Sequence, residues 1–165
     1  MPQDKALPST ALASSRGLVQ TSACACFNVR KAARAVTQHF AGFMSETGLT
    51  ETQFSILALL AQTGPQTGPL PMGKLAEMLF MDRTTLTRNV RPLQTKALVD
   101  IVPGQDSRTR EVMITDPGLE ALNDALPAWS RAQESLLASF GHEDWRDLKG
   151  RLEHLTAATR SPRSP

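Results

Sequence analysis

A chain of 165 residues with 41% apolar side chains can bury one core without disulfides or metals, and it is short for two domains. The net charge of +2 does not by itself indicate a nucleic-acid partner. No apolar run approaches the roughly 20 residues that a membrane span needs, so no membrane partner is predicted.

The two ends of the chain are predicted to be flexible tails around a single domain at residues 22–159. Residues 1–21 are rich in Ala, Ser, Thr and Pro and lack the apolar core of a signal peptide, and residues 160–165 read similarly. Two cysteines in a chain without an export signal favour a reducing compartment, so free thiols in the cytoplasm are expected.

The first predicted helix covers residues 22–47, with Ser22 as its cap. Its apolar residues alternate spacings of three and four, which places them on one helical face. They are Cys26, Val29, Ala33, Val36, Phe40, Phe43 and Thr47. A helix of about 26 residues is long for a small domain, so part of it is expected to pack on a second subunit.

Three shorter helices are predicted next, at residues 51–62, 72–79 and 83–96. Thr50 should cap the first and Asp82 the third, and the run from Gly64 to Pro69 is predicted to be a loop. In the short middle helix Leu75, Met78 and Leu79 should be buried. Pro92 should bend the third helix.

The periodicity then becomes strand-like. Val99–Val102 and Arg110–Ile114 are predicted to pair as a hairpin, and Thr115 or Asp116 should cap a helix that runs to Phe140 before a last helix. The predicted fold is therefore mainly α with a small β-hairpin. It is a winged helix-turn-helix at residues 50–115, flanked by long dimerisation helices at residues 22–47 and 116–158.

Several short segments in the middle of the chain carry a family pattern, which ends in an Asp-x-Arg wing and a distal Thr-x-x-Gly. These segments are Leu75–Leu79, Asp82–Arg88, Leu93, Leu98–Val99, Asp106–Arg110, Val112–Thr115 and Gly118. On them the sequence resembles the multiple-antibiotic-resistance regulator (MarR) family, and with the flanking helices the resemblance covers about Cys24–Ala158. Phe80 departs from the pattern, since many relatives have Gly there. Because Phe tolerates positive φ poorly, we expect this turn to follow another backbone path.

The resemblance implies a sequence-specific transcriptional regulator, expected to be a repressor, that binds a pseudo-palindromic operator in double-stranded DNA as a homodimer. In such proteins the second helix of the motif enters the major groove by its N-terminal end. The predicted contacts on that helix are Arg83, Thr84, Thr85, Thr87 and Arg88. The alternative for each of them is solvated surface.

The wing is the second predicted DNA contact. By family likeness Arg108 reaches a minor groove, with Arg110 beside it, and Asp106 orients Arg108 or simply forms the turn. The distribution of charge agrees with both contacts, because seven cations and four anions lie between Lys74 and Arg110.

Cys24 and Cys26 are a possible redox sensor. Cys26-Phe27, with Arg34 and Thr37, resembles the first helix of organic-hydroperoxide-responsive repressors of the same family, in which a cysteine is oxidised and DNA is released. A helix start and a nearby Arg30 would favour the reactive thiolate. Those repressors place tyrosines around the thiol and this chain has none, so a small buried hydrophobe at a dimer interface is the alternative.

Relatives also bind small aromatic or anionic ligands between the helices that form the dimer and the DNA-binding part of each chain, called here the reading head. A similar inducer pocket could be lined by Phe40, Phe43 and Trp129, although the simpler interpretation of these residues is core.

Catalysis and metal binding find less support in the residues. No nucleophile elbow, phosphate loop or zincin motif is present, so neither an enzyme nor a cofactor is predicted. Cys24 and Cys26 would point to different sides of one helix, and with His39, His142 or His154 they form no recognisable set of four ligands, so no metal is predicted. The alternatives are a thiol-dependent redox enzyme, or an interaction module of this fold that does not bind DNA.

Overall fold

The computed structural model describes residues 22–104, 106 and 109–160, apart from the side chains of residues 65–67 and 160. From Ala25 onwards this part of the chain forms six helices and three short strands, which confirms the mainly helical fold. In chain order they are α1 (Ala25–Met44), α2 (Glu51–Thr67), β1 (Leu70–Pro71), α3 (Met72–Met78), α4 (Arg83–Thr95), β2 (Val99–Pro103), β3 (Arg110–Ile114), α5 (Asp116–Phe140) and α6 (His142–Arg160).

The sheet has one strand more than the predicted hairpin. Strands β2 and β3 pair antiparallel with Val99 opposite Ile114, and Leu70 of β1 pairs with Val112 on the other side of β3. Pro71 lies in an edge strand, where a residue without an N–H is tolerated. A strand of two residues has no periodicity to detect, which is why the sequence did not predict it. It is a strand only through its pairing with β3.

Helix α2 runs further than predicted, and the expectation of a loop from Gly64 to Pro69 is wrong for its first part. The helix continues through Pro65 to Thr67 and ends at Gly68, whose φ is +68°. A residue before proline normally avoids the helical conformation because its Cβ and N–H meet the ring. Gly64 has no Cβ, which removes part of that clash and lets the last turn form.

The hydrophobic core of the winged region (residues 50–115) is covered by elements of the same chain. Fully buried aliphatic side chains come from α2, α3, α4, β2 and β3, and α5 adds Leu122 and Ala125. Those fully buried are Ile56, Leu57, Leu75, Leu86, Val90, Leu93, Val99 and Val112. The prediction that Met78 is buried is wrong, because α3 has only two turns and inserts Leu75 and Ala76 instead.

The terminal helices bury little. The chain divides into two compact units between Gln38 and His39, inside α1, and the described residues before this boundary are all exposed. Beyond it, α1 contributes Phe40 and Met44 to the interior. Helix α6 has no buried residue among 142–159.

Candidate nucleic-acid interface

The first turn of α4 is held by Asp82, which is its N-cap as predicted. The Thr85 backbone N–H donates to Asp82 Oδ1 at 2.8 Å, and the Thr85 hydroxyl donates to Oδ2 at 2.6 Å. These two bonds hold the pKa of the Asp82 carboxyl below its ordinary value because they stabilise its charged form. The Thr85 hydroxyl is therefore engaged in capping rather than presented outward.

The other predicted contacts of α4 lie along its outer face. Arg83, Thr84 and Arg88 are exposed, whereas Thr87 is half-buried and its hydroxyl donates to the Arg83 carbonyl at 2.7 Å. The opposite face carries Leu86, Val90 and Leu93 into the core. The helix is thus anchored by its apolar side and presents cations along the other.

A groove of about 670 Å³ lies between α4, the start of α3 and the wing. It brings three predicted residues together, because Arg83, Thr87 and Arg110 all line it. Arg91 lines it too, although it was not among the predicted contacts. Its position three residues after Arg88 and four after Thr87 is the signal that could have identified it.

The tip of the wing is described only in part. Arg108 lies outside the described residues. The Asp106 carbonyl accepts both the Thr109 backbone N–H at 2.8 Å and its hydroxyl at 2.7 Å. Asp106 therefore takes part in a turn, and its orientation of Arg108 stays a prediction.

The turn between α3 and α4 corrects an expectation, because Phe80 does adopt a positive φ of +53°. The Met81 N–H donates to the Ala76 carbonyl at 2.9 Å and the Phe80 N–H to the Glu77 carbonyl at 3.3 Å. This pair of bonds is a Schellman motif, which needs a left-handed residue at the Phe80 position. The bonds that end α3 thus outweigh the steric cost of a phenylalanine there.

The two cysteines lie at the start of α1, where both are free and exposed. Cys26 is in the first turn, as predicted. Cys24 occupies a break in the helix, and its carbonyl accepts the Asn28 backbone N–H at 3.1 Å and the Asn28 side-chain N–H at 3.0 Å. The prediction of one continuous helix from Ser22 is therefore wrong, and with it the argument that placed the two thiols on different sides of that helix.

The residues of the predicted inducer pocket are aromatic neighbours on α1 and α5. Phe40 is 8% exposed and its ring centre lies 6.4 Å from that of Trp129, which also stacks on Phe54 at 5.7 Å. Phe43 contacts the ring of His39, and His39 Nε2 donates to the Ala132 carbonyl at 2.9 Å. These ring contacts place Phe54 and His39, which the sequence analysis did not assign to the pocket, in the same aromatic cluster.

Other kinds of site are not found in the described part of the chain. None of its helices is long and apolar enough to cross a membrane. No three of its His, Cys, Asp and Glu side chains group in a way that could hold a metal ion.

Helices α3 and α4, the hairpin that follows and the basic outer face of α4 define a winged helix-turn-helix DNA-binding protein. A model of the MarR family matches residues 47–108. The transcriptional regulator MosR of M. tuberculosis, solved in complex with DNA, is 34% identical over 86% of this chain and 99% of its own, with a TM-score of 0.74. The chain therefore belongs to the MarR family of DNA-binding transcriptional regulators.

Two more distant proteins are similar to this chain. The HTH-type transcriptional regulator MhqR of Bacillus subtilis (strain 168) is 24% identical over 115 residues, which are 69% of this chain and 77% of MhqR. MarR of E. coli is 17% identical, with a TM-score of 0.63 over 80% of this chain and 96% of its own. At that identity the likeness to MarR shows the fold alone.

Proposed function

We propose that this regulator is a homodimer that binds a pseudo-palindromic operator in double-stranded DNA and represses neighbouring genes. The observation that carries the proposal is the outer face of α4, where Arg83, Thr84 and Arg88 are exposed within the first two turns. Arg can pair bidentately with guanine, and Thr can contact a phosphate or a thymine methyl group. A helix fixed by its apolar face and presenting these residues at its N-terminal end suits the major groove.

The wing is the proposed second contact. Arg110 lines the same groove as Arg83 and Arg91, so cations from the wing and from α4 border one concave surface. A phosphate backbone seated there would meet positive charge from both sides. Arg108 is proposed, on the family resemblance, to enter the adjacent minor groove.

A second copy of the chain is the proposed partner of the terminal helices. Helix α1 exposes large apolar side chains, among them Phe27 at 46%, and α6 exposes Leu152 and Leu155. Apolar rows on helices are usually covered by another element, and a two-fold axis would cover each with its own counterpart. The same axis would present two α4 helices to two half-sites about one DNA turn apart.

A small aromatic or anionic inducer is one proposed signal for release from DNA. Phe40 of α1, Trp129 of α5 and Phe54 of α2 form a run of neighbouring rings. A ligand that separated these rings would move helices on which the spacing of the reading heads depends.

Oxidation of a thiol is the second proposed signal, and the position of Cys26 in the first turn of α1 favours it, because a helix start stabilises the thiolate. A sulfenic acid or mixed disulfide there would add a polar or bulky group to the proposed dimer face. Both signals would act by changing the affinity for DNA, so the proposed role needs no catalysis. As a regulator of transcription it would act in the cytoplasm, where the bacterial chromosome lies.

Selection from random DNA duplexes tests the operator proposal. We expect enrichment of an inverted repeat with half-sites about 10 base pairs apart. Enrichment of a single half-site, or of no sequence, would contradict it.

Treatment with an organic hydroperoxide then tests the thiol. Wild type and Cys24→Ser should release the selected operator, and Cys26→Ser should retain it. If treated wild type keeps its affinity, thiol sensing is wrong and a small inducer is favoured.

A further inference from the structure

The three residues that follow α4 in the chain, Lys96–Ala97–Leu98, form a turn called here the 96–98 turn. This turn leads into β2 and lies against the beginning of α5. Ala97 has a φ of +54°. The Ala97 N–H donates to the Gln94 carbonyl and the Leu98 N–H to the Leu93 carbonyl, both at 2.9 Å. This is a second Schellman motif, and it uses the last carbonyls of α4. The carbonyls of Ala97 and Leu98 themselves must then find donors elsewhere.

Thr115, the N-cap of α5, supplies both donors. Its hydroxyl donates to the Ala97 carbonyl at 2.7 Å, and its backbone N–H donates to the Leu98 carbonyl at 3.2 Å. The same hydroxyl oxygen accepts the Gly118 N–H at 3.1 Å, which is the capping bond of α5. One side chain therefore caps α5 and holds the turn that ends α4.

Gly118 permits the close approach that these bonds need. It is fully helical and does not have a positive φ, so conformational freedom does not explain a glycine there. A Cβ at this position would overlap the Leu98 carbonyl oxygen and would lie 2.8 Å from the Ile114 side chain. Since the nearest obstacle is backbone, it could be relieved only by moving the 96–98 turn away from α5.

We propose that Thr115 and Gly118 are positioning residues for operator recognition: they clamp the 96–98 turn to the first turn of α5 and so fix the direction of α4. The proposal rests on the proposed role of α4 in reading DNA. The proposal assigns a structural role to the Thr-x-x-Gly segment, although both of its residues lie outside α4 and away from the proposed DNA contacts.

The length of α4 makes its far end sensitive to this clamp. A helix of 13 residues is about 20 Å long, so a tilt of roughly 5° at Thr95 moves the opposite end by nearly 2 Å. Hydrogen bonds to base edges tolerate displacements of only about 0.5 Å. The buried face of Leu86, Val90 and Leu93 limits rotation of α4, and the clamp adds a fixed point at its C-terminal end. Lys96 Nζ, which donates to the Gly48 carbonyl at 2.7 Å, is a further tie at that end.

Three variants of Thr115 separate capping from clamping. Thr115→Ser keeps both the acceptor and the donor, Thr115→Asp keeps a good cap but cannot donate to the Ala97 carbonyl, and Thr115→Val loses both functions. Thr50 provides the matched control, since it caps α2 by accepting the Gln53 N–H at 3.2 Å. Thr50→Asp makes the same change of charge and cap at a different helix.

Gly118→Ala tests the close approach independently. Its control is Gly150→Ala in α6, where an added Cβ meets no atom within 4 Å. For every variant, affinity for the selected operator and for a scrambled duplex is measured at one salt concentration. The temperature is one at which circular dichroism shows all variants folded, and sedimentation gives their mass.

If the clamp positions α4, Thr115→Asp and Gly118→Ala lose about tenfold or more in the ratio of operator to scrambled-duplex affinity, as expected when a base contact is lost. Thr115→Ser, Thr50→Asp and Gly150→Ala keep this ratio within about twofold. The proposal is overturned if Thr115→Asp and Gly118→Ala, folded and with unchanged mass, discriminate as well as wild type. Failure of wild type itself to prefer any operator would instead overturn the proposed function, and the clamp's role with it.

Discussion

The winged region and the terminal helices differ in how much of their apolar surface the chain covers by itself. In the winged region Ile56, Leu75, Leu86 and Val99 are fully buried. In α1 before His39 and in the second half of α6, large apolar side chains stay exposed, as Leu155 does at 42%. This difference supports the proposed division of labour, in which one chain would complete the DNA-binding part and a second copy would hold two such parts at a fixed spacing.

The largest expected effect comes from breaking the proposed pairing of α6. Leu152→Asp with Leu155→Asp should give a folded monomer, because a charge on the pairing face cannot be buried without a partner. Loss of bivalent attachment should lower operator affinity by roughly 10²–10⁴-fold. Sedimentation and titration of the operator measure both effects. His154→Asp adds one charge to another face of α6 and should remain dimeric; an unchanged mass in the double variant would count against this interface.

Removal of a side chain from the closed core should cost less. Leu86→Ala leaves a cavity beneath α4 and should lower the free energy of unfolding by about 2–5 kcal/mol, measured by urea denaturation. Leu119→Ala removes a leucine that is 39% exposed and should cost under about 1 kcal/mol. An equal loss of unfolding free energy in both variants would contradict the claim that buried and exposed apolar side chains differ in their contribution to stability.

The outer face of α4 should govern sequence preference. Arg88→Ala should cost about 1–3 kcal/mol of operator affinity and relax preference at one base position in each half-site. Arg131→Ala, which removes an exposed arginine from α5, is the control and should leave preference intact. Competition among single-base operator variants measures the preference, and an unchanged profile for Arg88→Ala would show that α4 reads no base through this residue.

The smallest expected effect concerns the turn between α3 and α4, where Phe80 has a left-handed backbone conformation. Phe80 is 57% exposed and left-handed, so Phe80→Gly should raise the free energy of unfolding by up to about 1 kcal/mol as the steric cost disappears. Phe80→Ala keeps the Cβ and should bring no such gain. Destabilisation by glycine would mean that side-chain contacts of Phe80 exceed the cost of its backbone conformation.

Local chemistry explains which parts of the fold were predictable. The sequence predicts Thr50 and Asp82 as caps and narrows the third to Thr115 or Asp116, because a capping residue acts on backbone groups three positions away, within reach of sequence patterns. Strand β1 was not predicted because its two residues depend on Val112, far along the chain. The left-handed Phe80 was missed because the bonds that end α3 decide its conformation, not its own side chain.

The candidate interface was predictable as residue types but not as geometry. The resemblance supplied Arg83, Thr87 and Arg110, yet only the fold places them on one groove together with Arg91. The contact of Gly118 with the Leu98 carbonyl joins residues twenty apart and leaves no periodic signal. The helix breaks at Cys24, where the Asn28 side-chain N–H donates to the Ser22 carbonyl at 2.7 Å and to the Cys24 carbonyl at 3.0 Å, so Cys24 and Cys26 do not share one continuous helix.

The mass of the complex with the selected operator tests the central claim most directly. Sedimentation equilibrium of the wild-type protein, titrated into a duplex that carries both half-sites, gives the number of chains bound per duplex. The account predicts two chains on the full operator, with affinity falling sharply when one half-site is scrambled. A single chain bound with the same affinity to the full and the half-scrambled duplex would contradict it.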